Sequence, residues 1–101
     1  MSDYKELTNS MKTVLVEFYA DWCGHCRRMM PVVEEIKELT AGRASIIQLD
    51  IDENDELSDK LQVTGTPTFI LYHNGKETWR YSGEIDGNVL LKKIEDDIAK
   101  S

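Results

Sequence analysis

The sequence predicts an α/β fold: a mixed central sheet of about four strands, flanked by helices. Three observations lead there. Two β-prone runs, 13–19 and 44–49, are separated by a long segment of helical periodicity. Two further β-prone runs, 68–72 and 78–81, are joined by Asn74-Gly75, the usual signature of a tight type I′ hairpin. A last amphipathic segment closes the chain. A strand–helix–strand succession implies parallel pairing, because a hairpin turn cannot join parallel strands, and the final hairpin adds an antiparallel pair.

Each element has its own local reason. Residues 3–10 suit a short helix. Thr13 to Tyr19 is almost continuously β-prone, as expected of a strand covered on both faces. From Cys23 to about Thr40 the apolar residues Cys26, Met29, Met30, Val33, Ile36 and Leu39 recur at spacings of three and four, one stripe of a helix. The Met29-Met30 pair reads as core packing. Gly42 is the stop signal. Residues 54–62 suit another short helix. Asp86 can cap the final helix, with Leu90, Leu91, Ile94 and Ile98 facing inward. Trp79 and Tyr81 share one strand face and read as packing residues. Pro31 falls inside the long helix, where it costs about 3 kcal/mol unless its surroundings compensate; bending the helix is one use for it.

The chain of 101 residues suits one domain, 1–101, without repeats or linkers. A formal charge of −7 argues against nucleic acid or an anionic membrane as partner, since both need a positive footprint. No apolar run approaches the ~18 residues of a membrane span. The first residues carry neither a basic nor an apolar leader region, so the expected location is cytoplasmic.

Both cysteines, Cys23 and Cys26, lie in one CGHC stretch. A disulfide between them closes almost no loop and stabilises little, so the pair calls for a chemical explanation. Cysteines at i and i+3 sit one helical turn apart, with β-carbons roughly 5–6 Å apart. At a helix N-terminus a thiolate meets free N–H groups and the positive end of the dipole, which lowers its pKa. Cys26 lies on the apolar stripe and Cys23 precedes it at the open end. Cys23 is therefore expected to attack a substrate disulfide, and Cys26 to resolve the mixed disulfide. His25 stands between them. A protonated imidazole there is expected to stabilise the Cys23 thiolate and make the couple more oxidising. Arg27 and Arg28 follow, either favouring a thiolate or acidic substrates, or simply solvated. Zinc is the structural rival for CxxC, but a structural site needs four ligands and only His25 and His73 could join the pair.

The stretch from Val14 to Cys26, VLVEFYADWCGHC, closely resembles the active-site strand and helix start of thioredoxins. Pro31, Asp50-Ile51-Asp52, Gly65-Thr66-Pro67-Thr68, Asn74-Gly75 and Gly83 follow in family order, so the resemblance covers about residues 11–100. It implies a thioredoxin-like fold whose first family strand is missing, leaving a sheet edge open. It also implies a cis Thr66–Pro67 bond against the cysteine pair, and a substrate-docking surface of Trp22, Gly24, Ile51, Thr66, Pro67 and Gly83. Glu17, a carboxylate in a buried-looking strand, stands where thioredoxins usually carry an aspartate beneath the resolving cysteine. By that likeness it accepts the Cys26 proton, and desolvation should raise its pKa.

Departures from the family pattern are Glu at 17, Gln48 in place of the usual lysine partner of the buried acid, Tyr19 in place of a second tryptophan, and His25 in place of proline. The last gives the inter-cysteine sequence of protein disulfide isomerase. The acids Asp50, Asp52, Glu53, Asp55, Glu56 and Asp59 lack the glycine and final glutamate spacing of a calcium loop and read as a solvated surface with acids at a helix start.

The function expected is that of a thioredoxin-like enzyme that reduces protein disulfides. It would be a monomer with no bound cofactor beyond its redox-active Cys23–Cys26 pair, recharged by a flavin-dependent thioredoxin reductase. Two alternatives stay open: a disulfide oxidase or isomerase, motivated by His25, and a non-catalytic thioredoxin-like binding module.

Overall fold

The computed structural model describes residues 2–100. The elements run α1 (Ser2–Thr8), β1 (Thr13–Tyr19), α2 (Gly24–Leu39), β2 (Ser45–Asp50), α3 (Asp55–Lys60), β3 (Thr68–His73), β4 (Lys76–Ser82) and α4 (Gly87–Ile98). The sheet order is β2-β1-β3-β4. β1 is parallel to β2 and antiparallel to β3, which is antiparallel to β4. This is the mixed four-stranded sheet the sequence predicts. Among the described residues no strand precedes β1, so β2 is an edge.

Side chains alternate across the sheet, and the alternation of β1 positions the site. Val14, Val16 and Phe18 face one side, where they pack with Ile70 and Tyr72 of β3, Tyr4 of α1 and Leu57 of α3. Leu15 faces the other side and joins Met29, Val33 and Ile36 of α2, Phe69 and Leu71 of β3, and Leu90 and Ile94 of α4. Glu17, two residues beyond Leu15, therefore shares the face covered by α2. Because β1 is an inner strand, Glu17 has no sheet edge by which to reach water; it is 1 % exposed.

At the turn, Asn74 and Gly75 both have positive φ, 51° and 81°, as type I′ requires. A β-carbon on Gly75 would also stand 2.5 Å from Asn9 Oδ1. Asp86 caps α4, its carboxylate accepting from the N–H groups of Asn88 and Val89. Thr40 ends α2, and Gly42 has a φ of +81° in the turn that follows. α2 continues through Pro31, which is exposed. The Arg27 carbonyl, which loses its helical partner there, is on the side that water can serve.

Two expectations are corrected. Met30 is 56 % exposed and Leu39 is also exposed, so neither belongs to the core stripe. An α-helix turns by roughly 100° per residue, and the buried face of α2 is the narrower set Cys26, Met29, Val33 and Ile36. Adjacent Met29 and Met30 cannot both point at one sheet. On β4, Trp79 stacks on Tyr81 with ring centroids 6.1 Å apart, and Lys93 lies over Trp79. Trp79 packs against the core, but Tyr81 is exposed.

Candidate active site

The site forms where β1 runs into α2. Cys23 is the N-cap of α2, with extended backbone (φ −91°, ψ 114°). Its Sγ accepts from the Cys26 N–H at 3.3 Å and lies 3.4 Å from the Thr66 carbonyl oxygen, to which the thiol donates. A sulfur thus fills the capping role usually played by an oxygen. Both cysteines are free thiols.

The two sulfurs differ less in exposure than their positions suggest: Cys23 is 6 % and Cys26 3 % exposed. What separates them is the side on which each opens. Cys23 lines a surface groove of about 420 Å³ with Trp22, Gly24, His25, Ile51 and Thr66. Cys26 lines a different cleft, of about 290 Å³, with Glu17, Tyr19, Arg27, Met30 and Gln48. A larger hollow, about 480 Å³ between α1 and α3, contains no thiol.

Electrostatics separate the pair further. Burial opposes ionisation of Cys23, but hydrogen bonds with Cys26 and Thr66 and with the backbone N–H groups of Cys26 and His25 outweigh it, lowering the pKa from 9.0 to about 7. Burial, reinforced by the hydrogen bond to Cys23, pushes Cys26 up to about 11. The first proton leaves from a shared couple and is best written on Cys23. Burial also raises Glu17, against a hydrogen bond from Gln48 Nε2 to its Oε1 at 3.0 Å. Gln48 is the register neighbour of Glu17 on β2. Where a lysine would bring a charge, Gln48 brings an amide.

The Thr66–Pro67 peptide is cis. Pro67 is buried, and its carbonyl accepts from the Gly83 N–H at 2.8 Å. Gly83 and Pro67 thus support one another beside the groove, while Thr66 lines it. Ile51 donates its N–H to the Tyr19 carbonyl and packs on the Ala20–Cys23–Cys26 cluster. Trp22 is 66 % exposed, and its Nε1 donates to Asp52 Oδ2 at 3.0 Å.

The His25 imidazole is held by an acid from a distant segment. Its Nδ1 lies 2.6 Å from Glu84 Oε2 and, facing a carboxylate, donates to it. Arg28 donates to the same oxygen from Nε at 3.0 Å and Nη2 at 2.8 Å. His25 acts on Cys23 through its backbone N–H. Sequence reasoning misses Glu84, which has no motif and is brought to α2 only by the fold. It also leaves Asp52 among solvated acids; its place in the Asp50-Ile51-Asp52 segment is the available signal. Among the described residues no group of three or more His, Cys, Asp or Glu side chains is arranged to hold a metal, and no helix is long and apolar enough to cross a membrane.

Comparison with known proteins gives a consistent result. A family model described as Thioredoxin matches residues 2–96. Thioredoxin Y2, chloroplastic, of Arabidopsis thaliana is 38 % identical over 92 residues, which cover 91 % of this chain and 55 % of that protein. The chain thus spans about half the length of the chloroplastic relatives it matches. A bifunctional thioredoxin reductase/thioredoxin of Mycobacterium leprae is 36 % identical over 95 residues, covering 94 % of this chain and 21 % of that protein. Among solved structures, a mutant thioredoxin from Halobacterium salinarum superposes with a TM-score of 0.90 at 33 % identity, over 100 % of this chain and 88 % of that one. With the cysteine couple, the sheet order and the cis proline in place, the chain belongs to the thioredoxin family.

Proposed function

We propose that this protein is a thiol–disulfide oxidoreductase that reduces protein disulfides through Cys23 and Cys26. The observation that carries the proposal is the split between the two thiols: about 7 for Cys23, which lines the groove, and about 11 for Cys26, which lines a separate cleft with Glu17. An attacking thiol is most effective with a pKa near ambient pH, and a resolving thiol must stay protonated until the mixed disulfide forms.

In the proposed reaction the Cys23 thiolate attacks one sulfur of a substrate disulfide. The substrate S–S bond breaks, the other substrate sulfur leaves as a thiolate, and a Cys23–substrate disulfide forms. Cys26 then gives up its proton, with Glu17 as acceptor, and attacks Cys23 Sγ. The second substrate thiolate leaves, and the protein holds a Cys23–Cys26 disulfide, having passed two electrons to the substrate. Trp22, Gly24, Ile51, Thr66, Pro67 and Gly83 form the proposed docking surface.

The proposed recharging partner is a flavin-dependent thioredoxin reductase, a reading supported by the relative that joins both activities in its name. We further propose one domain, acting as a monomer in the reducing environment of the cytoplasm. The oxidase or isomerase reading retains the support of the CGHC sequence, but Glu84 engages the imidazole on which it depends. Equilibration of the couple with glutathione tests direction. A potential near the value of about −270 mV for thioredoxin supports the reductase; one near the value of about −180 mV for protein disulfide isomerase, about 4 kcal/mol away, supports the rival. Failure of the intact protein to accelerate insulin-disulfide reduction would leave the binding-module reading instead.

A further inference from the structure

Glu84 sits on the loop after β4, one residue beyond Gly83, and reaches across to the first turns of α2. One of its oxygens, Oε2, receives Nδ1 of His25 and both Nε and Nη2 of Arg28. Arg28 Nη2 also lies 2.8 Å from His25 Nδ1. With Nδ1 protonated these are two donors in contact, a pairing that only a shared acceptor makes favourable. Arg28 also lies beside the start of the helix: its Nη1 would stand 3.7 Å from a β-carbon on Gly24, the residue after Cys23, and a Cys23 thiolate favours its charge. Glu84, in turn, is held down at about 2 by Arg28 and His25, so it is anionic throughout the physiological range.

We propose that Glu84 is a positioning residue for the Cys23–Cys26 couple: by accepting from both His25 and Arg28 it offsets the Arg28 charge and keeps a CGHC couple reducing. The inference rests on the oxidoreductase reading. Its physical content is a balance of charges. The groups around Cys23 are Cys26 below it, His25, Arg27 and Arg28 on α2, Glu84 on the β4–α4 loop and Asp52, which holds Trp22, with Glu17 on β1 lining the cleft on the Cys26 side. Of these, Arg28 and a protonated His25 favour the thiolate, and Glu84 is the anion in direct contact with both. A more stable thiolate means a more stable reduced form, hence a more oxidising couple. Without Glu84 the guanidinium of Arg28 is left uncompensated near the active thiol, and the His25 imidazole loses the acceptor that holds it. The net local charge becomes more positive.

The test compares wild type with Glu84→Gln, Glu84→Asp and the double variant Glu84→Gln/Arg28→Gln. It follows thiolate absorbance against pH in the reduced proteins, and the reduced fraction in fixed glutathione buffers. Glu84→Gln is expected to lower the Cys23 midpoint by about half a pH unit, about a threefold gain in thiolate below neutrality, and to raise the reduced-to-oxidised ratio in the same direction. Glu84→Asp, which keeps the charge, should stay near wild type, and Glu84→Gln should have much less effect when Arg28 is already neutral. An unchanged or higher midpoint in a folded Glu84→Gln protein overturns the proposal. So does an equal shift in Glu84→Asp, or an effect undiminished in the double variant. Failure of the wild type to reduce insulin disulfides is a separate result: it removes the oxidoreductase reading while the titration still reports what Glu84 does to Cys23.

Discussion

Gln48 donates its side-chain amide to the buried carboxylate of Glu17 across the β1–β2 pair, 3.0 Å from Nε2 to Oε1. The contact satisfies one oxygen without neutralising it. Glu17 is 1 % exposed, and burial raises its pKa. The folded protein therefore holds this proton to higher pH than the unfolded chain does. Below the unfolded value both states are protonated and Glu17 exacts no penalty. As pH rises the unfolded state ionises first, so stability falls until Glu17 ionises in the fold. Glu17→Gln should consequently be more stable than wild type at neutral pH, by on the order of 1 kcal/mol or more, with the gain vanishing in mild acid. Urea denaturation at a series of pH values checks this; a gain that persists below pH ~4 would contradict it.

The same substitution should slow catalysis. With the proposed acceptor of the Cys26 proton removed, release of the mixed disulfide in Glu17→Gln is expected to fall by about 10²-fold at neutral pH, the lower end of what a positioned base contributes. Stopped-flow measurement of the second step decides the matter, and a rate equal to wild type from mildly acidic to mildly basic pH would remove the base.

Alkylation should report the asymmetry of the thiols. The rate of iodoacetamide modification at Cys23 is expected to rise about tenfold per pH unit below its midpoint near 7 and then level off, while Cys26 stays unreactive until far more basic pH. Cys26→Ser should accumulate a mixed disulfide through Cys23, detectable by mass spectrometry. No more adduct than in wild type would mean that Cys26 does not resolve it.

Asp52 holds the exposed indole of Trp22 beside the groove. Asp52→Ala should leave stability within about 0.5 kcal/mol, as for most surface substitutions. It should raise KM for protein substrates a few-fold, about the worth of one exposed hydrogen bond, with little change in kcat. A loss confined to kcat would show that the contact serves chemistry rather than docking.

Far from the thiols, Asp97 is 1 % exposed and pins α4 to the end of the sheet. Its Oδ2 accepts from Thr13 Oγ1 at 2.6 Å and from His73 Nδ1 at 2.9 Å. Asp97→Ala leaves both donors without their acceptor and should cost about 3 kcal/mol in chemical denaturation, with the thiol titration unchanged. A cost under about 0.5 kcal/mol would mean that the cluster contributes nothing to the fold.

The sheet, the helix order and the turn at Asn74-Gly75 are legible in the sequence because each rests on a local rule: period two, period 3.6, or a φ that few residues accept. The cysteine pair is legible for the same reason, being a spacing within one helix. Contacts between distant segments are not. Nothing near Glu84 marks it, and its link to Arg28 spans 56 positions in the chain. The orientation of His25 escapes prediction because a sequence shows its neighbours along the chain and not the acid that folds over it. Met30 is misplaced by periodicity because an i+3/i+4 stripe admits more residues than a helix face packed against one sheet can bury.

The two sulfurs line separate hollows at one helix start. A peptide strand lying over Cys23 would therefore cork one hollow and leave the other, lined by both Cys26 and Glu17, uncovered. Cargo and hydrogen ions would then pass through separate doors, and neither need wait for the other to clear.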